Sequence, residues 1–290
     1  KQSTKYLEQL PQPFYAMLIT VTNHYPYEID KKNQAIEKTT TGDNTVDGYV
    51  QTARYLDQAF GEFISYLKKT GLYDKTMIVV YGDHYGISNN HKKAIAQLLG
   101  KKSVTSYDLA MFQKVPFMIH MPGLQGGVNH TYGGEIDVMP TLMDLLGLKN
   151  TDTVQLGNDL LATKRNQTVV FRNGDYVSPT YSKIGSTVYN NKGQVVTKKL
   201  TKAQSKSVAQ KEAYADKLLS MSDQIITGDL LRFYQPKWFT KVNKSDYNYK
   251  KAEALKQLDQ AQVKEQTSLF FNNNKKSTES LFVTDAPELK

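Results

Sequence analysis

The chain has 290 residues, 39% of them hydrophobic, with 19 Tyr and 11 Phe, which is enough apolar material for a large folded domain and excludes disorder of the whole chain. The formal net charge of +9 suits a polyanionic partner, but no nucleic-acid signature accompanies it. The absence of cysteine excludes disulfides and thiolate metal sites, and no apolar run approaches the roughly 18 residues of a membrane span.

The first half of the chain reads as strand, helix and strand. Phe14–Val21 is a short apolar run typical of a buried strand, and it ends in a polar loop that carries His24. Apolar residues at three- and four-residue steps predict a helix over Asp47–Lys69 with Asp47 as its N-cap. Thr76–Tyr81 is the next buried strand. This order predicts a right-handed crossover in a parallel sheet, with the loops after both strands at one edge.

Further elements extend the same pattern. We predict a short helix over His91–Leu99, a loop over 101–114 and a third strand over Val115–Met121. A further helix is predicted to follow Glu135–Asp137 and to run through Leu146, with Pro140 in its first turn. The fold class that follows is α/β, with a mostly parallel sheet sandwiched by helices over residues 1–165.

The composition changes after about residue 163. Short β-rich runs joined by Asn-Gly and Lys-Gly turns predict a small antiparallel sheet, and Lys206–Ile226 reads as a charged helix on that sheet. We assign this subdomain to residues 166–240. Residues 241–290 are basic and polar, and there we expect exposed helix at most and then a loose tail.

Asp83 and His84 directly follow the second predicted strand. Ligands of open α/β sheets sit beyond the carboxyl ends of the strands, and an Asp–His pair there offers two donors to a divalent metal. An isolated pair does not complete a metal site, so the simpler interpretation is that Asp83 caps the next helix and His84 is a loop histidine. The position at a strand end favours His84 as a ligand.

The other histidines and Ser88 leave alternatives open. His24 also follows a strand end, and it can handle an anion or a proton, or merely bind backbone. His91 is expected at the surface, His120 as a hydrogen-bonded core histidine and His130 in a loop facing water. Ser88 can reach a ligand hydroxyl or cap a helix. No Ser-His-Asp triad is present, because nothing resembles a nucleophile elbow.

Seven runs of sequence, in the same order over roughly residues 10–240, resemble the lipoteichoic acid synthase family of the alkaline phosphatase and sulfatase superfamily. The runs are Leu18–Pro26, Leu67–Asp74, Val79–Ser88, Val115–Gly123, Gly134–Thr141, Phe171–Asp175 and Gly228–Tyr234.

The resemblance implies a metal-dependent transferase that moves glycerol phosphate from phosphatidylglycerol to a growing polyglycerolphosphate chain through a threonine-linked intermediate. On the matching positions, Asp83 and His84 are ligands of one divalent ion, usually Mn²⁺ with Mg²⁺ as the alternative. His24 contacts the substrate phosphate, and Ser88 contacts the glycerol end. The implied location is the extracellular face of the membrane of a Gram-positive bacterium, or a released ectodomain.

The sequence departs from the family in one respect. The family's threonine nucleophile, the acidic residue that completes its metal site, and a substrate-binding Arg and Trp lie upstream of the segment that matches residue 10, and this sequence has no counterpart for them. We therefore expect a C-terminal part of a catalytic domain that does not turn over alone and that needs the N-terminal part of the same protein.

Two other functions remain open. A primase-type paralogue or a phosphodiester or sulfate-ester hydrolase of the same superfamily would use the same ligands. A non-catalytic cell-wall domain that binds polyanions is favoured by the +9 charge and the missing nucleophile, whereas the family motifs at Asp83, His84 and His24 argue against it.

Overall fold

A computed structural model describes residues 1–265 and 267–289 of the chain, which divide into two compact units. The first unit comprises Lys1–Ser103, Val115–Gln125 and Lys244–Lys290, and the second comprises Val104–Lys114 and Gly126–Asn243. The predicted domain boundaries near residues 165 and 240 stay a prediction. No helix within the described ranges has both the length and the apolar character needed to span a bilayer.

The described residues of the first unit form five α-helices, two strands and several short 3-10 turns. The helices are α1 Thr4–Leu7, α2 Asn44–Lys69, α3 Lys92–Leu98, α8 Lys251–Glu265 and α9 Leu269–Asn272, and the strands are β1 Ile78–Tyr81 and β2 Phe117–His120. The 3-10 turns are Lys31–Asn33, Tyr73–Lys75, Asn89–His91, Lys244–Asp246, Glu279–Leu281 and Pro287–Leu289.

Helix α2 is the longest element of this unit, and it begins earlier than the sequence predicted. The N-cap is Asp43, whose carboxylate accepts hydrogen bonds from the backbone N–H groups of Thr45 and Val46. Asp47, predicted as the N-cap, is instead buried in the first turn, where one of its carboxylate oxygens accepts from the hydroxyls of Thr39 and Thr41. Burial works against the charged form, but these hydrogen bonds outweigh it and lower the pKa of Asp47.

Strands β1 and β2 confirm two of the predicted strands, but they pair antiparallel, with Ile78 opposite His120. No parallel pair occurs among the strands that the structure describes. The strand predicted over 14–21 does not form, and Tyr15 and Ile19 are 86% and 75% exposed. A strand needs a hydrogen-bonded neighbour, and the described residues supply none to this run.

The expectation of a loose tail was wrong for residues 267–289. Phe282 is buried against the ring of Tyr66 on α2, with ring centroids 5.6 Å apart. The buried Glu8 carboxylate accepts hydrogen bonds from the hydroxyl of Ser277 and from the backbone and hydroxyl of Thr278. The segment therefore fastens the first turns of the chain to α2.

The second unit contains a four-stranded antiparallel sheet and four helices. The strands, in sheet order, are β3 Val169–Val170, β4 Tyr176–Val177, β5 Tyr181–Ile184 and β6 Thr187–Asn190. The helices are α4 Ser106–Phe112, α5 Val138–Leu145, α6 Lys202–Ile226 and α7 Leu230–Phe233, and a 3-10 turn, Glu135–Asp137, precedes α5.

The predicted small antiparallel sheet with a helix is therefore present. Helix α6 starts at a capping box formed by Thr201 and Gln204, and it buries Val208 and Ala215. The Tyr176 hydroxyl donates to the Val208 carbonyl at 3.4 Å, and burial raises the pKa of Tyr176 to about 12. Helix α4 lies where the sequence predicted a loop, although its Thr105–Asp108 capping box is a readable start signal.

Candidate active site

The site begins where β1 ends. The Gly82 N–H donates to the Pro116 carbonyl at 3.1 Å, which continues the β1–β2 pairing by one step. A Cβ at residue 82 would lie 2.8 Å from the Cβ of Val115, so only glycine fits this close approach. Asp83 and His84 follow immediately, and both side chains are largely exposed.

Asp83 and His84 lie close enough to share one ligand. The distance from His84 Nε2 to Asp83 Oδ1 is 3.8 Å. His84 Nδ1 lies 2.8 Å from the Tyr85 carbonyl, and since a carbonyl only accepts, Nδ1 must carry the proton. In the neutral ring the lone pair is therefore on Nε2, the nitrogen beside the carboxylate. This is the arrangement by which a backbone carbonyl orients a metal-binding histidine.

His24 comes to the same place from the loop after residue 21. Its ring centroid lies 5.6 Å from that of His84, and the two planes are perpendicular at 87°. His24 Nδ1 donates to the Tyr25 carbonyl at 2.9 Å. This is the same kind of hydrogen bond, to the carbonyl of the next residue, that His84 makes. The structure thus joins the two loops that the sequence placed at one edge, although the strand predicted before His24 is absent.

Three contacts fix the two loops against each other and against α2. The buried Tyr27 hydroxyl donates to the Gly86 carbonyl, which ties the His24 loop directly to the His84 loop. The ring of Tyr49 on α2 packs edge-on to Tyr27, with centroids 5.2 Å apart. The Thr52 hydroxyl donates to the side-chain carbonyl oxygen of Asn23 at 3.0 Å. Burial raises the pKa of Tyr27, which keeps its hydroxyl a donor.

These positioning residues were not predicted from the sequence. The Tyr-Pro-Tyr run at Tyr25–Tyr27 and the helix position of Tyr49 are visible, but which rings meet depends on tertiary contacts. Gly86 carried one usable signal, because glycine is the residue that allows another group to approach the backbone closely. A Cβ at residue 86 would lie 2.4 Å from Cε2 of Tyr49.

Ser88 is half-buried at the N-cap position of the turn Asn89–His91, but its side chain makes no capping hydrogen bond. That removes the capping alternative and leaves the ligand-contact role as a prediction.

His91 was expected at the surface but is part of a half-buried pair. Its Nδ1 lies 2.6 Å from Oδ2 of Asp43, and the two side chains are 25% and 27% exposed. The hydrogen bond from His91 holds the pKa of Asp43 below its ordinary value. This pair links the start of α2 to the segment that follows Ser88.

Of the two remaining histidines, His130 lies as expected, whereas His120 is hydrogen-bonded but only partly buried. The His120 ring stacks on the Tyr73 ring with centroids 4.0 Å apart, and its Nε2–H donates to the Tyr73 carbonyl at 3.2 Å. His130 is exposed in a loop of the second unit.

The residues present fit a divalent metal in part. Typical metal–oxygen and metal–imidazole distances of about 2.1 Å allow one ion to bridge donors 3.8 Å apart. Within residues 1–265 and 267–289, no group of three or more His, Cys, Asp and Glu side chains is arranged to hold a metal. Asp83 and His84 can therefore supply two ligands of an ion, and a stable site needs others.

Asp83 and His84 thus follow the end of a strand, and His24 faces them from a second loop. A family model described as Sulfatase matches residues 1–148, and the chain belongs to the sulfatase family.

The chain is similar to lipoteichoic acid synthases. It is 48% identical over 255 residues to lipoteichoic acid synthase 1 of Bacillus subtilis (strain 168), covering 88% of this chain and 39% of that protein. It is 45% identical over 249 residues to the lipoteichoic acid synthase of Staphylococcus aureus (strain USA300), covering 86% of this chain and 38% of that protein.

A solved structure agrees. The lipoteichoic acid synthase LtaP of Listeria monocytogenes matches with a TM-score of 0.60 at 31% identity, over 74% of this chain and 54% of that one. These findings confirm the resemblance read from the motifs and the sulfatase-like fold class. The chain spans about two fifths of the length of the two synthases it was aligned with.

Proposed function

We propose that this chain forms part of a phosphoglycerol transferase of the lipoteichoic acid synthase type. Such an enzyme moves glycerol phosphate from phosphatidylglycerol to a polyglycerolphosphate chain at the extracellular face of the membrane. The observation that carries the proposal is the meeting of His24 and His84, 5.6 Å apart, beside Asp83. The similarity to lipoteichoic acid synthases supports the substrate class.

Asp83 and His84 are the proposed ligands of one divalent ion, Mn²⁺ or Mg²⁺. A bound ion would polarise a phosphoryl oxygen and lower the pKa of a coordinated hydroxyl. The Asp83 carboxylate is open to solvent and can turn toward His84, whose Nε2 is kept free of the proton by the Tyr85 carbonyl.

His24 is the proposed contact to the substrate phosphate. When its ring is protonated, Nδ1–H stays on the Tyr25 carbonyl and Nε2–H can donate to a phosphate oxygen. In both histidines the hydrogen bond from Nδ1 to the next carbonyl leaves Nε2 available, as a metal ligand in neutral His84 and as a donor in protonated His24. Ser88, whose side chain makes no capping bond, is the proposed contact to the glycerol end.

The threonine nucleophile and the further metal ligand that the resemblance implies have no counterpart in this sequence. We propose that they come from the N-terminal part of the same protein, and that the 290-residue chain alone does not turn over.

Calorimetry tests the metal assignment in a longer protein that contains this chain. We expect Asp83→Ala to weaken Mn²⁺ binding by roughly tenfold or more, because an anionic ligand is lost. Asp74→Ala removes an exposed carboxylate of the same unit and is the matched control. Equal Mn²⁺ affinity in the two variants would rule out Asp83 as a ligand.

Labelled phosphatidylglycerol tests the reaction in the same longer protein. The proposal predicts transfer of label to a polyglycerolphosphate acceptor, and loss of transfer in His24→Ala. Release of free glycerol phosphate without transfer would favour the hydrolase. Binding of the acceptor without any turnover, unchanged in Asp83→Ala, would favour a polyanion-binding domain.

A further inference from the structure

Residues 226–242 of the second unit present large apolar side chains to solvent. Ile226 is 78% exposed, Phe233 79%, Tyr234 59% and Trp238 51%. Exposed aromatic side chains concentrated in one short segment are unusual on a monomeric surface, where contiguous apolar patches mark interaction sites. We call residues 226–242 the aromatic–basic segment.

The same segment carries an excess of positive charge. Arg232, Lys237 and Lys241 are all exposed, and the only carboxylate among these residues is Asp229. Asp229 lies 3.9 Å from the Arg232 guanidinium, and both side chains remain mostly exposed. The Arg232 guanidinium is therefore still accessible to solvent. The Arg232 guanidinium also lies 5.9 Å from the Phe233 ring centroid.

Backbone hydrogen bonds give this segment a defined shape. The Gly228 N–H donates to the Asp223 carbonyl at 2.9 Å, which closes the end of α6. The Phe239 N–H donates to the Pro236 carbonyl at 2.9 Å, and the Thr240 N–H donates to the Thr151 carbonyl at 2.6 Å. The aromatic side chains are therefore presented by a segment that includes α7 and is held by backbone hydrogen bonds at both ends.

We propose that the aromatic–basic segment docks on the surface of a bilayer that contains anionic phospholipids. Tyr and Trp favour the membrane–water interface, where the ring is buried and the polar edge stays hydrated. Lys and Arg beside them are attracted to anionic headgroups. A soluble polyanion could engage the cations, but it would leave Ile226 and Phe233 exposed to water, and this favours the bilayer.

Trp238 makes the proposal directly testable, because it is the only tryptophan in the chain. The 290-residue chain is mixed with vesicles of phosphatidylserine and phosphatidylcholine, and with vesicles of phosphatidylcholine alone. We expect a blue shift of the tryptophan emission and protection from acrylamide quenching with the anionic vesicles. Phosphatidylserine is not the proposed substrate, so this outcome is independent of the proposed transferase.

Two pairs of matched variants separate the segment from bulk charge and bulk hydrophobicity. We expect Lys237→Gln/Lys241→Gln to lower vesicle partitioning by roughly 25-fold. Lys198→Gln/Lys199→Gln makes the same change in net charge at exposed positions elsewhere and should have little effect. Phe233→Ser should weaken binding, whereas Val128→Ser, at an equally exposed apolar residue, should not.

Tryptophan emission unchanged by anionic vesicles would overturn the proposal. An equal spectral shift with soluble polyglycerolphosphate would also overturn it, in favour of a polymer-binding segment. Equal losses in the lysine variant and its control would show that net charge alone attracts the protein, and would contradict a specific docking segment.

Discussion

His24 and His84 make the same hydrogen bond, from Nδ1 to the carbonyl of the next residue. A bond between neighbouring residues needs no tertiary partner, so the orientation of each ring is set within its own loop. What brings the rings together is the contact of Tyr27 with Gly86, where two loops distant in sequence share one hydrogen bond. His24 and His84 were candidate site residues on sequence grounds, but the contact between Tyr27 and Gly86 was not predicted.

Gly86→Ala tests whether the Tyr27–Tyr49 packing positions His84. The new Cβ would lie 2.4 Å from the Tyr49 ring, so we expect a loss of about 1–3 kcal/mol in the free energy of unfolding, and weaker Mn²⁺ binding. Gly61→Ala is the control, because nothing lies within 4 Å of its Cβ and alanine favours the α2 interior by up to about 1 kcal/mol. Urea denaturation measures the free energy of unfolding of the two variants. Equal stability of Gly86→Ala and Gly61→Ala would contradict the packing argument.

Asp43 carries two functions, as the N-cap of α2 and as the partner of His91. Asp43→Ala should lower the free energy of unfolding by about 1–2 kcal/mol, because the cap is lost. Asp43→Asn keeps a capping oxygen but replaces the charged oxygen that faces His91 Nδ1 with a neutral amide NH2 group.

The charge of Asp43 predicts a pH dependence. Its pKa is lowered in the folded protein by the His91 hydrogen bond, so its contribution is complete above the ordinary carboxyl pKa of about 4 and is lost as the pH falls through the lower folded value. In urea titrations, the stability difference between wild type and Asp43→Asn should therefore shrink as the pH drops from about 6 toward 2. A difference that does not change with pH would contradict the lowered pKa.

Among the helices and strands, two factors explain which predictions succeeded: the apolar pattern of the segment, and a neighbouring element with which it can pair or pack. β1, β2 and α2 combine apolar periodicity with a partner in the described part of the chain, and all three form. Residues 14–21 have the apolar pattern but no paired neighbour there, and they form no strand and are mostly exposed. Apolar periodicity shows that a segment is able to form a strand, and the presence of a neighbour to pair with determines whether the strand forms.

The segment 267–289 shows the opposite error. Its lysines and asparagines predicted a loose tail, but one buried ring at Phe282 and the hydroxyls that satisfy Glu8 are enough to hold it. The average composition of a segment does not predict whether it packs, because packing depends on a few individual side chains.

Phe282→Ala tests this packing. We expect a loss of about 3–5 kcal/mol in the free energy of unfolding, since the ring is only 7% exposed and lies against Tyr66. Val283→Ala, at a side chain 63% exposed, should stay within about 0.5 kcal/mol of wild type. Limited proteolysis should cut residues 267–289 faster only in the Phe282 variant. Similar stability and cleavage in both variants would contradict a packed C-terminal segment.

At the scale of the whole molecule, the candidate centre lies in the first unit and the aromatic–basic segment in the second. The family was readable from motifs alone, because its residues occur in the same order along the chain. The antiparallel pairing of β1 with β2 was not predicted, since sequence order constrains neighbours in space only loosely.

Paramagnetic broadening of the histidine ring signals tests the central claim, that Asp83 and His84 hold a divalent ion beside His24. The chain has five histidines, so single substitutions assign each signal. On addition of substoichiometric Mn²⁺ to the 290-residue chain, we predict that His84 broadens most and His24 next, and that Asp83→Ala abolishes this selectivity. Preferential broadening of His91, His120 or His130, or an unchanged pattern in Asp83→Ala, would contradict the account.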